Sequence, residues 1–122
     1  MKDEQNKLAG IVNNRNIGQY QRHIIFCGGS KCGGSTEKGD AAWEYLKTRL
    51  KELHLSDGTV YRTRATCLRV CMEGPIAVVY PEGTWYKNLN LENIEKVIQL
   101  HLIKGRPVAE LAFAENPLML DM

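Results

Sequence analysis

Apolar residues fall along this chain in short runs whose spacing changes from strand-like to helical and back. His23-Ile24-Ile25-Phe26 is a brief apolar run ending directly at Cys27, and it predicts a first strand. Trp43, Leu46, Leu50 and Leu53 then recur at spacings of 3, 4 and 3, which lines one face of a helix, with Asp40 as its expected N-cap. Ser56-Asp57-Gly58 closes that segment. Thr59 to Thr66 is rich in β-branched residues and sets Arg62 and Arg64 in alternation with Tyr61, Thr63 and Ala65, as a half-exposed strand would. Ile76 to Tyr80 is a continuous apolar strand, Pro81-Glu82-Gly83 a tight turn, and Thr84 to Lys87 its hairpin partner. Asn90 caps a last helix whose apolar face is Leu91, Ile94, Val97, Ile98 and Leu102, and Gly105 and Pro107 stop it.

The order is β-α-β-β-β-α, an α/β fold with a four-stranded mixed sheet and helices packed on it. A β-α-β crossover makes the first two strands parallel, so both end at one edge of the sheet. Cys27 follows the first strand and Cys67 the second, and the crossover therefore carries two cysteine loops to the same edge. Residues 1–22 stand apart. They hold Asn6, Asn13, Asn14 and Asn16 around the small apolar cluster Leu8, Ile11 and Val12, and read as a loosely attached arm or short helix. The compact domain is expected over residues 23–117, with a tail at 118–122.

Composition changes this picture little. The chain has 122 residues, 43% apolar and 25% charged, enough for one domain with its own core. The formal charge is +2, and residues 1–22 account for it through Lys2, Lys7, Arg15 and Arg22 against Asp3 and Glu4. A balanced domain without a basic stripe argues against nucleic acid as a partner. No apolar run reaches the length of a membrane span. Residues 1–10 are charged and polar where a secretory signal needs an apolar stretch, so reduced thiols and a cytoplasmic location are expected.

The chemistry lies in the cysteines. The chain has four, Cys27 with Cys32 and Cys67 with Cys71, spaced C-x4-C and C-x3-C. Two chelating pairs can hold one tetrahedral metal ion or one two-iron cluster. Glycines at 28, 29, 33 and 34 suit a loop that turns backbone N–H groups toward sulfur. Lys31 and Arg69 lie inside the loops and could offset negative charge, although solvated loop cations are the simpler account. The leading reading is a small iron–sulfur electron carrier; the alternative is a structural zinc-binding module that mediates protein interaction.

Other chemistries fit poorly. A thioredoxin-type oxidoreductase needs a C-x-x-C pair, which is absent. A Rieske centre needs two histidines near cysteines, whereas His54 and His101 fall within helical patterns; all three histidines, His23 included, read as surface or packing residues. The glycine loop lacks the Gly-Lys-Ser/Thr ending of a phosphate-binding loop, since Gly34 precedes Ser35 and Thr36. Trp43 reads as core by its helical register. One of Trp85 and Tyr86 should face solvent by strand alternation and is a candidate docking contact.

The segment Cys67-Leu68-Arg69-Val70-Cys71-Met72-Glu73-Gly74-Pro75, followed by IAVVYPEGTWY, resembles the thioredoxin-like [2Fe-2S] ferredoxins. The likeness spans about residues 22–117, and its second half is the more specific part. The resemblance implies a thioredoxin-like fold, shared with the small flavoprotein-associated subunit of respiratory NADH dehydrogenases. It also implies a [2Fe-2S] cluster on Cys27, Cys32, Cys67 and Cys71, single-electron transfer to redox protein partners, and no catalytic residue. Members of the family include homodimers, so self-association is among its implications.

Overall fold

The pattern at residues 22–27 shows why a strand forms there: Ile24 and Phe26 point one way and are fully buried, while Ile25 and Cys27 point the other. In the computed structural model, which describes residues 2–27, 36–56, 58–70 and 72–118, this strand is β1 (Arg22–Cys27). The other elements are α1 (Lys2–Asn14), α2 (Thr36–Glu52), β2 (Val60–Ala65), β3 (Ala77–Tyr80), β4 (Thr84–Tyr86), α3 (Leu91–Lys96) and β5 (Ala112–Glu115). A π-helical stretch, Val97–Ile103, continues α3 directly.

The sheet runs β2-β1-β3-β4-β5. β1 and β2 are parallel, with Cys27 opposite Ala65, as the crossover requires; β3, β4 and β5 are antiparallel to their neighbours. Sequence patterning leads to four strands, and the sheet has a fifth. Ala112–Glu115 has only one half-buried residue and no apolar alternation, so periodicity could not mark it. Its place is secured by β4 and by Asn116 N–H donating to the Gly83 carbonyl at 2.8 Å. Gly83 has φ +69, and a Cβ there would collide with the Asn116 backbone oxygen. Turn and last strand thus need glycine twice over, for the left-handed backbone and for the close approach.

The main core lies between one sheet face and the helices. Ile24, Phe26, Ala77, Val79 and Tyr86 from the sheet meet Ala42, Leu46 and Leu50 of α2 and Ile94, Val97, Ile98 and Leu102 of the last helix. The buried stripe of α2 is Ala42, Leu46 and Leu50, spaced by four. Trp43 corrects the core expectation: it is half-buried at the rim, its ring 6.0 Å from Phe26. Asp40 is also not the cap. α2 begins at Thr36, and Asp40, inside it, accepts from Arg64 of β2 at 2.6 Å. Asn90 does cap α3, accepting from the Asn93 N–H at 2.8 Å. The Arg49 guanidinium grips Glu95 at 2.8 and 2.9 Å, joining α2 to α3, and holds that carboxyl down at about 2.

Candidate metal centre

Cys27 ends β1 on the face away from α2. The register Ile25–Val78–Trp85 defines this second face, and Cys27 packs there with Ile76, Leu68, Val70 and Trp85 in a small apolar cluster. The cysteine is fully buried, and its N–H donates to the Ile76 carbonyl at 2.9 Å. Both backbone and surroundings therefore fix the sulfur position.

Cys67 lies two residues beyond Ala65, the partner of Cys27 in the β1–β2 register. The two described cysteines thus meet at one sheet edge, as the crossover argument requires. Unlike Cys27, Cys67 is exposed. Its Sγ accepts the Arg69 N–H at 3.2 Å, and Arg69 has φ +68. A non-glycine residue in this region is strained, and such strain gathers at functional sites. Here the strained turn aims a backbone donor at sulfur. Glu73, further along the loop, has φ +54. It is tied down where Asn88 N–H donates to its carbonyl at 2.8 Å and Lys87 approaches its carboxylate at 3.7 Å.

Cys32, Cys71, Lys31 and the glycines at 28, 29, 33 and 34 lie outside the described residues. Among the described residues no three of His, Cys, Asp and Glu gather as a metal site. The donor set fits an iron–sulfur centre in two respects: two thiols on one edge from parallel strand ends, and an N–H already directed at sulfur. Arg69 is exposed in its loop.

Sequence reading missed two groups. Trp85 is more than a solvent-facing docking candidate: it is half-buried against the Cys27 cluster and meets Phe113 of β5 edge-on at 6.4 Å, while Tyr86 is fully buried. The second group surrounds His101, also fully buried. Val108 N–H donates to the Tyr86 oxygen at 2.9 Å, which leaves the Tyr86 hydroxyl to donate to His101 Nδ1 at 2.7 Å. Nε2–H of His101 then donates to Glu82 at 2.8 Å, and Arg22 pairs with the same carboxylate at 3.1 Å. Burial lowers the His101 pKa, against the pull of Glu82, so the ring is neutral as this chain of donors requires. Burial likewise raises Tyr86 to about 12. The only sequence signal for this network was a histidine on the apolar face of a helix.

No family model matches the chain. It is 30% identical over 96 residues to a 2Fe-2S ferredoxin of Clostridium pasteurianum, covering 75% of this chain and 94% of that one. It is 33% identical over 95 residues to a Priestia megaterium protein named as a candidate 2Fe-2S ferredoxin, covering 78% and 72%. A solved thioredoxin-like [2Fe-2S] ferredoxin of Aquifex aeolicus superposes with a TM-score of 0.66 at 23% identity, over 83% of this chain and 99% of that one. Fold and cysteine edge together define a thioredoxin-like α/β domain. With those relatives, the chain belongs to the thioredoxin-like [2Fe-2S] ferredoxin family.

Proposed function

We propose that this protein is a one-electron carrier that holds a [2Fe-2S] cluster through Cys27, Cys32, Cys67 and Cys71. When bound, such a cluster supplies a reversible one-electron couple. The observation that carries the reading is the meeting of Cys27 and Cys67 at one sheet edge, with the Arg69 N–H on the Cys67 sulfur.

The residues around the two cysteines divide the work. Ile76, Leu68, Val70 and Trp85 wall Cys27 from water and fix its sulfur, which keeps reorganisation small. Cys67 and Arg69 face solvent, so a redox protein approaches from the Cys67 side. Arg69, together with Lys31, attracts an acidic partner surface, and the docking is transient and screened by salt. The chain passes electrons and transforms no substrate. No helix among the described residues is long and apolar enough to cross a membrane, and the thiol chemistry suits the cytoplasm.

Metal and sulfide analysis of the purified protein tests the proposal. About two irons and two acid-labile sulfides per chain are expected, with visible absorption that bleaches on reduction by dithionite. One zinc and no sulfide per chain would overturn it in favour of a structural zinc site.

A further inference from the structure

Away from the cysteine edge, at the beginning of β2, a cleft of about 300 Å³ opens between the end of α1, α2 and the strand. Asn14, Arg15, Trp43, Ser56, Val60, Tyr61 and Arg62 line it, and none of these is acidic. Arg62 is the informative residue. Four arginines are half-buried: Arg22, Arg49, Arg62 and Arg64. Arg22 pairs with Glu82, Arg49 with Glu95 and Arg64 with Asp40. Arg62 stands two residues before Arg64 on the same side of β2, yet it forms no ion pair with any described residue. Its guanidinium lies over the Trp43 ring at 5.9 Å, and its Nε is buried without a hydrogen-bond partner.

A half-buried guanidinium without a counter-charge is costly, and an anion in the cleft would offset that cost by pairing with the charge. Arg15 supplies a second guanidinium on the same cleft, also without an ion pair among the described residues. The Asn14 amide and Ser56 hydroxyl add uncharged donors, and Trp43, Val60 and Tyr61 add an apolar wall. Two guanidinium forks match a phosphate better than they match a single carboxylate. The volume exceeds that of a bare phosphate ion and leaves room for a few carbon atoms against the apolar wall.

We propose that this cleft binds a small phosphomonoester, its phosphate held by Arg62 and Arg15 and its carbon portion set against Trp43, Val60 and Tyr61. The site is independent of the cysteine edge, which lies at the other end of β2.

Calorimetric titration of the purified holoprotein at constant ionic strength tests this, with glycerol 3-phosphate, inorganic phosphate and succinate as probes. The expected result is saturable binding of one glycerol 3-phosphate per chain, tighter than inorganic phosphate, with succinate weaker still. Arg62→Gln should weaken ester binding about tenfold or more, and Arg15→Gln several-fold, because each removes charge-assisted donors. Arg62→Lys keeps charge and stem but loses the fork, and should also bind weakly; it serves if the Gln variant folds poorly. Lys104→Gln, on an exposed residue outside the cleft, should change nothing. Asp57 follows Ser56 in the chain, and Asp57→Asn should not weaken binding. Absence of saturation at millimolar ester, or equal binding by wild type and both Arg62 variants, would overturn the site. Succinate binding as tightly as the ester would overturn the phosphate assignment.

Discussion

At the cysteine edge, Cys67 is exposed and its loop holds Arg69 and Glu73 in left-handed backbone. Near the turn at residues 81–83 the protein does the reverse: His101 is wholly buried, and the Tyr86 hydroxyl, both His101 ring nitrogens and the Glu82 carboxylate all have partners. The second region is a connected hydrogen-bond network around a buried histidine, and its role is to fix packing. The first carries strain and exposure, which a fold retains where chemistry needs them. The same contrast recurs on a smaller scale within the metal centre, between a sulfur sealed in apolar packing and one open to a partner.

The largest test of that contrast is removal of the thiols. Cys27→Ala and Cys67→Ala should both abolish stable cluster binding, seen as loss of visible absorption and of bound iron. Cys27→Ala should also lower the urea midpoint, since it empties a packed site, while Cys67→Ala should leave the midpoint of the metal-free protein almost unchanged. An unchanged spectrum in either variant would remove that cysteine from the site.

The His101 network should give an intermediate effect. His101→Phe leaves the Tyr86 hydroxyl proton without an acceptor and Glu82 without one donor, at a cost of about 1–3 kcal/mol, read as a lower urea midpoint at pH 7. The sign of its pH dependence follows from burial. Burial holds the folded His101 pKa below its ordinary value of 6.5, so the unfolded chain takes up the proton first. Its contribution is fully present above pH 6.5 and is lost as pH falls through the folded value. Wild type should therefore lose stability between pH 7 and 5, and His101→Gln should flatten that slope. Burial lowers His23 as well, so a residual slope of the same sign should remain.

The smallest effect belongs to the exposed cations. A Lys31→Glu, Arg69→Glu double variant should slow electron transfer from a reductase several-fold at low salt, and the difference should shrink as ionic strength rises. A variant matching wild type at low salt, in rate and in potential, would make these residues ordinary solvated cations.

The sequence made much of the cysteine edge legible because its signals are local. A strand running straight into Cys27, a helical stretch and a second strand running into Cys67 predict a parallel crossover, and the structure pairs Cys27 with Ala65 in just such a ladder. What could not be read depended on contacts between distant residues. β5 exists through pairing with β4 and the return to Gly83, 33 residues from Asn116. The His101 network joins residues 22, 82, 86, 101 and 108, a set without common periodicity. The left-handed turn at Arg69 is invisible to a rule that looks for glycine. Trp85 reads from the sequence as an aromatic on a hairpin, but its packing beside Cys27 depends on the register of three strands.

The strand order leaves β2 and β5 as the outer strands, and each is poorly suited to recruiting another chain. β2 is six residues long and carries the half-buried Arg62 and Arg64, one packed on Trp43 and the other paired with Asp40, whose bulk disfavours a second strand laid beside it. β5 has four residues and pairs through an irregular register at Trp85 and Tyr86, which twists it away from a flat template. An open sheet with both edges blunted in this way should resist edge-to-edge aggregation, read as an unchanged sedimentation profile as protein concentration rises.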